Sequence, residues 1–286
     1  MTTILITGAA RGIGLALTQR AAARGDTVFA TVRKDSDKAK FDRWPNVTPI
    51  LMDVADTASV EHGFAELDRL LAGQPLQVVI NAAAISIPGA IELAPIQEAE
   101  DTMNTNVVGS MRVLKAAIPR LRGHDGRIVL ITSLWGRASS AMIASYCASK
   151  HAIESIADSA RRETSGMGLH VVLVEPGVIR TDMYEKQGEH VEQLIGQMSP
   201  AQHAVYGPIY RRYQKLVGGP KGDQTPNMGI SAEACAAGIE KAAFAAKPKP
   251  RYRVGMDAKV VCLLADLLPA RWMDVVMGQS LNNKPL

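Results

Sequence analysis

Cysteine and long apolar runs are scarce in this 286-residue chain. Its three cysteines, Cys147, Cys235 and Cys262, are an odd number without Cys-x-x-Cys or Cys/His spacing, so the sequence predicts neither a disulfide framework nor a zinc site. No uninterrupted apolar run approaches the ~20 residues of a membrane-spanning helix. The first residues show no basic segment followed by a small-residue cleavage site, so we expect no secretory signal. These absences predict a cytoplasmic protein without an integral membrane segment.

Dense blocks of one charge sign are also missing. The 32 basic and 28 acidic residues give a net charge of +4 and are interspersed, which argues against the concentrated basic surface of nucleic-acid-binding proteins. Hydrophobic residues make up 47% and charged residues 21% of the chain, as in ordinary soluble globular proteins. A nucleic acid is therefore not expected as a partner.

The chain does contain a regular alternation of strand-like and helix-like segments. Continuous apolar, β-branched runs are typical of parallel strands that are covered on both faces, and they occur at 3–7, 27–32, 47–54, 76–81, 127–133 and 170–176. Segments with helical periodicity lie between them, at 13–24, 57–72, 98–121 and 146–165, and a last strand is predicted at 251–255. This series predicts an α/β fold with a doubly wound parallel sheet, which binds ligands at the carboxyl ends of its strands.

One domain, 1–286, is predicted, because no linker rich in Pro, Gly or Ser precedes residue 180. The polar segment 183–230 interrupts the alternation and contains the loop-like "GGPKGDQTPNMG". It is interpreted as an insertion over the sheet edge, either a substrate-covering lid or a purely structural excursion. Residues 257–286 form a C-terminal extension. Within it, Cys262–Met277 is interpreted as a packed helix or subunit interface, with a membrane-surface helix as the alternative.

A glycine-rich turn, "TGAARGIG", directly follows the first strand and contains Gly8, Gly12 and Gly14. Its spacing is not the usual Gly-x-Gly-x-x-Gly. A glycine turn that leads into a helix nevertheless offers backbone N–H groups and a positive dipole end to a pyrophosphate. The alternative is a tight turn that binds nothing.

The stretch "SYCASK" places Tyr146 and Lys150 four residues apart. On a helix these two positions lie on the same face, so phenol and ammonium can converge. A nearby cation lowers the pKa of a tyrosine from its ordinary value near 10. The spacing is compatible with an acid/base pair, but an isolated match of this kind usually means a solvated lysine above a half-buried ring.

Several segments, taken together over about 3–182, resemble the short-chain dehydrogenase/reductase family. The glycine turn is similar to that family's cofactor turn, Asp53 and Val54 match its adenine-contacting position, and "PGVIRT" at 176–181 matches the segment beside the nicotinamide. "NAAA" at 81–84 stands where the family has Asn-Asn-Ala-Gly, a departure expected to affect strand stability more than chemistry. Four residues match the family's active-site tetrad in order: Asn106, Ser133, Tyr146 and Lys150.

The resemblance implies a single-domain Rossmann-type fold and hydride transfer between a nicotinamide and a carbonyl or secondary alcohol, without a metal. It implies that Tyr146 carries the proton and that Lys150 also hydrogen-bonds the nicotinamide ribose. Ser133 would orient the substrate oxygen, and Asn106 would hold a water in a relay to solvent. A homodimer or homotetramer is expected on the same ground. The residues predicted to bind the cofactor are Gly8, Arg11, Gly12, Ile13, Gly14, Arg33, Asp53, Val54, Asn81, Ala82, Tyr146, Lys150, Pro176, Gly177, Val178, Ile179 and Thr181.

The end of the second strand bears on the choice of nicotinamide. NAD-binding folds place an acidic residue there, whereas an arginine nearby accommodates the 2′-phosphate of NADP. Here the acidic position is Val32 and the next residue is Arg33. Arg33 and Arg11 can clamp a phosphate, so NADP(H) is predicted. NAD(H) is the alternative, because Asp35 lies only two residues further on.

Two segments, "YCASKHAIESIADSARRE" and "VVLVEPGVIRTDM", are similar to the branch that includes retinol and 17β-hydroxysteroid dehydrogenases. This implies a bulky apolar alcohol or ketone, such as a steroid, retinoid or aromatic ketone. Trp135, Met142, Met183 and Tyr184 can line an apolar pocket or simply pack. The alternatives are an NAD-dependent dehydrogenase of a small hydroxy acid or alcohol, and a catalytically silent NADP-binding redox regulator.

Overall fold

The computed structural model describes residues 1–217 and 229–281. The apolar runs of the sequence form a parallel sheet of seven strands in the order β3-β2-β1-β4-β5-β6-β9, and β7 and β8 pair separately. The strands are β1 (Thr3–Thr7), β2 (Thr27–Val32), β3 (Val47–Leu51), β4 (Val78–Asn81), β5 (Gly126–Ile131), β6 (Leu169–Pro176), β7 (Ile179–Arg180), β8 (Ile230–Ser231) and β9 (Arg251–Val254).

Helices connect the strands and cover the sheet. They are α1 (Gly12–Ala23), α2 (Thr57–Leu71), α3 (Ile96–Met103), α4 (Gly109–Leu121), α5 (Ala144–Glu163), α6 (Asp182–Gln197), α7 (Pro200–Val217), α8 (Ala232–Ala243), α9 (Met256–Leu267) and α10 (Ala270–Leu281). A π-helical turn, Asn104–Val108, joins α3 to α4, and short 3₁₀ helices occupy Asp35–Phe41 and Leu134–Gly136. The α/β fold with a doubly wound parallel sheet is therefore confirmed.

The two faces of the sheet bury different helices. Ile4 and Ile6 of β1 pack in a cluster that includes buried residues of α1 and α8. Leu5, between them, packs in the cluster that includes buried residues of α2, α4 and α5. Successive side chains of a strand point to opposite faces, so every position of β1 is buried. This explains why the strand runs are continuously apolar.

The strand order places a crevice between β1 and β4. From β1 the sheet continues through β2 and β3 in one direction, whereas from β4 it continues through β5 and β6 in the other. A crevice opens at the carboxyl ends of the strands where the order reverses in this way, and ligands of doubly wound folds bind there. The glycine turn follows β1, so the fold brings it to this crevice.

Two segments differ from the sequence prediction. The helix expected over 98–121 is interrupted by the π-helical turn at Asn104–Val108, because an extra residue in the turn re-aims the chain. The described part of the insertion at 183–230 as far as residue 217 is mainly helical, since α6 and α7 bury apolar residues against each other and against the body of the fold. The predicted loop at 218–229 lies, apart from Gly229, outside the described residues.

The C-terminal extension consists of α9 and α10 as far as residue 281. Ala258 and Cys262 of α9 are buried against Leu134, so one face of α9 is packed. Its other face exposes apolar side chains, among them Leu263 and Leu267. Within 1–217 and 229–281, no helix combines the length and the apolar character needed to cross a bilayer.

Candidate active site

The glycine turn can exist only with glycines at particular positions. Gly8 and Gly12 have φ values of 66° and 54°, in the left-handed region that side chains disfavour. A Cβ on Gly8 would lie 2.8 Å from the Cα of Ala83, and one on Gly14 would lie 2.3 Å from the carbonyl oxygen of Gly8. These contacts are too short for any side chain, so the turn is pressed directly against the end of β4 and the start of α1.

The N-terminus of α1 is open to a ligand. Arg11 occupies the N-cap position with an extended backbone, its side chain makes no capping hydrogen bond, and the first turn of α1 carries no acidic residue. Gly12, Ile13 and Gly14 line the adjoining cavity. Free N–H groups and the positive end of the helix dipole favour an anion such as a pyrophosphate at this position.

A buried hydrogen-bond brace fixes the ends of β1 and β4 beside this turn. The Thr7 hydroxyl donates to Asn81 Oδ1 at 2.8 Å and accepts from the backbone N–H groups of Ala82 and Ala83, each at 3.1 Å. Asn81 Nδ2 donates to Ser110 Oγ at 2.8 Å. Asn81 therefore fastens the strand ends, while the alanines after it form the wall of the cavity.

A cavity of about 710 Å³ runs from the glycine turn to α6. At one end it is lined by Arg11, Arg33, Lys34 and Lys40. Lys40 is held in place by Asp37 at 2.8 Å and by the carbonyl oxygen of Ala10 at 3.2 Å. Four cations around one end of a cavity form a site for a phosphate group.

Sequence reasoning assigned Arg11 and Arg33 to the phosphate and gave no role there to Lys34, Asp37 and Lys40. The signal was the run "RKDSDKAK", whose cations the turn Asp35–Phe41 divides between cavity and surface. Asp35, the carboxylate that left NAD open as the alternative, pairs with Lys38 at 2.8 Å and its side chain is 82% exposed. It does not belong to the cavity wall among the described residues.

Three members of the predicted tetrad lie together where β5 ends and α5 begins. Ser133 follows β5, and Tyr146 and Lys150 lie on one face of α5. The Tyr146 hydroxyl is hydrogen-bonded to the side chain of Ser133. Lys150, which is 2% exposed, donates from Nζ to the carbonyl oxygen of Ile131 at 2.9 Å, and its Nζ lies 5.5 Å from the centroid of the Tyr146 ring.

Burial dominates the ionisation of this group. It raises the pKa of Tyr146 above the ordinary value, and the hydrogen bond with Ser133 only partly opposes this rise. It lowers the pKa of Lys150 to about 8, and the carboxylate of Glu154 opposes that fall. In the chain itself the pKa of Tyr146 is thus raised, and the lowering expected from Lys150 together with a nicotinamide cation stays a prediction.

The fourth member, Asn106, lies in the π-helical turn and is fully buried. Its Oδ1 accepts from the N–H of Ile85, and its Nδ2 donates to the Ile85 carbonyl oxygen and to Ser149 Oγ, all at 2.9 Å. The side-chain amide thus ties the loop after β4 to α5. The predicted water relay at Asn106 stays a prediction.

Helices α6 and α7 cover Tyr146. One apolar cluster contains Tyr146, Met142 and Trp135 together with three tyrosines of these helices, Tyr184, Tyr210 and Tyr213. Gln187 of α6 fastens this cover, and its contacts join three parts of the chain. Its Nε2 donates to Ser86 Oγ at 2.9 Å and its Oε1 accepts from the Tyr213 hydroxyl at 3.0 Å.

One face of α6 forms the cavity wall opposite the loop after β4. Met183, Lys186, Gln187 and His190 line it, at positions that share one face of a helix. His190 Nε2 lies 3.3 Å from a carboxylate oxygen of Glu98. Of these, sequence reasoning had named only Met183, because the helical period of this segment was not recognised.

The segment that follows β6 is hydrogen-bonded to residues of β9 and α9. The N–H of Gly177 donates to the Val254 carbonyl oxygen at 2.9 Å, and the N–H of Val178 donates to Asp257 Oδ2 at 2.6 Å. A Cβ on Gly177 would lie 2.0 Å from Asp257 Oδ1. Asp257 therefore shapes this turn, a role that no motif in the sequence indicated.

The predicted cofactor residues fall into two groups. Those that line the cavity are Gly8, Arg11, Gly12, Ile13, Gly14, Arg33, Asp53, Val54, Ala82 and Thr181. Those that do not form its wall, among the described residues, are Asn81, Tyr146, Lys150, Pro176, Gly177, Val178 and Ile179. Across 1–217 and 229–281, no group of three or more His, Cys, Asp or Glu residues is placed to hold a metal ion.

Comparisons with known proteins agree with this arrangement. Residues 2–192 match the family model described as short chain dehydrogenase. The NADPH-dependent 3-dehydrocapnine reductase of Ornithobacterium rhinotracheale is 30% identical over 284 residues, which cover 97% of this chain and 96% of that protein. Human retinol dehydrogenase 16 is 28% identical, over 96% of this chain and 87% of that protein.

A solved structure shares the fold. It is a short chain dehydrogenase from Burkholderia cenocepacia J2315, in complex with NADP, with a TM-score of 0.72 and 21% sequence identity over 93% of each chain. The family-model match spans more than half of the chain, and the reductase covers nearly all of it. The chain therefore belongs to the short-chain dehydrogenase family, in the branch that includes the retinol dehydrogenases.

Proposed function

We propose that this chain is an NADP(H)-dependent oxidoreductase that transfers a hydride between the nicotinamide and a carbonyl or secondary alcohol. One observation carries the proposal: the hydrogen-bonded pair of Tyr146 and Ser133, beside buried Lys150, lies at the same sheet edge as the glycine cradle. A proton carrier and a dinucleotide site on one edge are what hydride transfer to a carbonyl requires.

The cavity fits the cofactor. The turn at Gly8 and Gly14 has no room for a Cβ and the N-terminus of α1 is uncapped, which suits a pyrophosphate. The cations at the far end, Arg11 and Arg33 among them, suit a 2′-phosphate, and the name of the bacterial relative describes it as NADPH-dependent. When bound, the nicotinamide supplies or accepts the hydride.

The residues of the chain handle the oxygen and its proton. In the reducing direction, Ser133 and Tyr146 hold the carbonyl oxygen, and Tyr146 donates its proton as negative charge develops there. Burial raises the pKa of Tyr146, so the phenol is protonated and ready to donate at neutral pH. Lys150, fixed by the Ile131 carbonyl oxygen, provides the positive charge that stabilises the phenolate left behind.

The cover formed by α6 and α7 supports a bulky substrate. Tyr184 and Tyr213 surround Tyr146 with aromatic surface, which suits the apolar body of a steroid-, retinoid- or aromatic-ketone-like molecule. Lys186 and His190 on the cavity face of α6 favour a substrate that also bears a polar group.

We further propose a cytoplasmic homodimer or homotetramer, as the family resemblance implies. Light scattering on the purified protein measures the mass of the assembly. A monomer at micromolar concentration would contradict this part of the proposal without affecting the chemistry.

A substrate screen tests the function. Ketones and secondary alcohols of increasing size are mixed with NADPH, NADP⁺, NADH or NAD⁺, and the nicotinamide absorbance is followed. We expect turnover with NADPH and bulky ketones. Tight NADPH binding without turnover anywhere in the panel would favour the silent redox regulator, and a preference for NADH with small substrates would favour the other alternative.

A further inference from the structure

Glu154 lies one helical turn beyond Lys150 on α5 and is only 5% exposed. Each of its carboxylate oxygens has a partner. Oε1 accepts from Thr132 Oγ1 at 2.7 Å, and Oε2 accepts from Arg251 Nε at 3.0 Å. With Tyr146 and Lys150 it occupies positions i, i+4 and i+8, which share one face of a helix. Glu154 is therefore a buried carboxylate on the helix face that carries the proposed acid/base pair, and it is a candidate for a role in the reaction.

The first contact of Glu154 reaches the strand end that carries the site. Thr132 stands between Ile131, whose carbonyl oxygen holds Lys150, and Ser133, which bonds Tyr146. The turn after Ser133 also packs here, because a Cβ on Gly136 would lie 3.2 Å from Glu154 Cγ. Glu154 thus braces the segment that fixes both Lys150 and Ser133.

The second contact reaches a network of charges at the sheet edge. Arg251 pairs with Glu154 and with Asp158, at 3.0 and 2.9 Å, and approaches Glu175 at 3.6 Å. Arg253 continues the network from Glu175, at 3.1 Å. The titratable and charged groups that face Glu154 and Lys150 from the surrounding elements are Tyr146, Arg137, Asp158, Glu175, Arg251, Arg253 and Asp266.

The charges in this network determine which protonation state each neighbouring group favours. Burial raises the pKa of Glu154, and the hydrogen bonds from Thr132 and Arg251 oppose that rise. Arg251 therefore favours the carboxylate, and the carboxylate in turn favours the ammonium of Lys150. An opposite charge within a few ångströms favours the charged form of its neighbour.

We propose that Glu154 is a positioning residue for the reaction: held by Arg251, it keeps Lys150 protonated and braces the Thr132–Ser133 strand end against α5. The inference rests on the proposed function, in which Lys150 acts as an ammonium beside Tyr146.

The direct test measures the ionisation of Lys150 without using activity. In protein labelled with [¹³C]lysine, the Cε signal that is lost in Lys150→Met identifies Lys150, and its shift is followed against pH. We expect Glu154→Gln, which keeps the size and removes the charge, to lower the pKa of Lys150 by about one pH unit. Glu154→Asp, which keeps the charge, should restore part of that change.

Asp158→Asn is the matched control. Asp158 lies on the same helix and bonds the same arginine, but one turn further from Lys150. The substitution Asp158→Asn should leave the pKa of Lys150 at its wild-type value. An unchanged titration in folded Glu154→Gln, or an equal change in both variants, would overturn the proposal.

If Glu154→Gln does not fold, Glu154→Met gives a second test. It removes the same charge and leaves a flexible apolar side chain in its place, so the pKa of Lys150 should fall in the same direction. A folded Glu154→Met protein with the wild-type Lys150 titration would contradict the proposal.

Kinetics then separate this inference from the proposed function. In the pH profile of kcat/KM for NADPH-dependent reduction, the fall on the alkaline side should move to a pH about one unit lower in Glu154→Gln. This side of the profile reports the ionisation of groups in the free enzyme. A wild-type protein without turnover would contradict the proposed function, while the titration would still decide what Glu154 does to Lys150. Turnover with an unchanged alkaline side of the profile would contradict the positioning role alone.

Discussion

The two ends of the cleft are built in different ways. At the glycine-turn end, Arg11, Arg33 and Lys40 are exposed cations on loops close to one another in the sequence. At the other end, Tyr146 packs against residues of α6 and α7, far away along the chain, and Lys150 is buried and donates to the carbonyl oxygen of Ile131. Exposed charges are screened by salt, whereas burial shifts the ionisation of both Tyr146 and Lys150.

The difference separates two tasks. An open cationic end can select a phosphate by charge, at small cost to stability. A buried end can hold a phenol and an amine close to a reacting oxygen without water, but at a cost, because a buried charge is unfavourable. Substitutions at the buried end should therefore change chemistry and stability, and those at the open end should change cofactor preference.

The largest effect is expected for Tyr146→Phe. The substitution removes one oxygen and keeps the ring, so the fold and the affinity for NADPH should persist. Loss of a general acid/base group typically lowers turnover ~10²–10⁴-fold, and we expect the upper part of that range because Tyr146 also orients the oxygen. Steady-state turnover on an accepted ketone measures it.

Tyr206→Phe is the control for this change. Tyr206 lies on the same cover, where its hydroxyl donates to Glu92 at the surface, and its loss should leave turnover nearly unchanged. A folded Tyr146→Phe enzyme with near-normal turnover would end the proposed mechanism.

The next effect concerns stability and its dependence on pH. The pKa of Lys150 is lowered from 10.5 to about 8, which corresponds to about 3 kcal/mol of unfavourable burial below pH 8. The unfolded chain binds the proton between pH 8 and 10.5 and the folded chain does not, so the free energy of unfolding should rise with pH across that window. Lys150→Met removes the buried charge and loses the hydrogen bond to Ile131, which is worth about 1 kcal/mol.

We therefore expect Lys150→Met to be more stable than the wild type at pH 7 by about 2 kcal/mol, while its turnover falls. Urea unfolding at pH 7 and at pH 10 checks this, and the rise with pH should be missing in the variant. Equal stability of the two proteins at pH 7 would indicate that Lys150 is solvated in the folded state.

The sequence predicted the open end better than the buried one. The glycine turn, Arg11 and Arg33 could be located because each depends on neighbours a few residues away. The cover over Tyr146 was open to two interpretations and its helices were not predicted, since a polar helix such as α6 acquires its buried face only by packing on α7. The rise that burial causes in the pKa of Tyr146 was not predicted for the same reason: spacing reveals the neighbouring lysine but not the depth of burial.

At the open end, Arg33→Asp should change the choice of cofactor. Loss of a charge-assisted phosphate contact and repulsion from the new carboxylate should shift the ratio of kcat/KM values toward NADH by ~10-fold or more. Lys38→Asp reverses a charge five residues away, where the lysine pairs with Asp35 at the surface, and should leave the ratio unchanged. An unchanged ratio in Arg33→Asp would contradict the assignment of this end to the 2′-phosphate.

The smallest effect is expected at Gln187, which fastens the cover at the buried end. Gln187→Leu keeps the size of the side chain but removes its bonds to Ser86 and Tyr213, and buried polar groups left without partners cost about 1–3 kcal/mol. The cover should loosen, so KM for a bulky ketone should rise by a few-fold, on the order of 1 kcal/mol, with the dissociation constant of NADPH unchanged. Gln214→Leu is the matched control, because Gln214 also joins α7 to α6, through Glu192 at 2.6 Å, but at the surface. If Gln187→Leu weakened NADPH binding as much as ketone binding, the two ends of the cleft would not be independent.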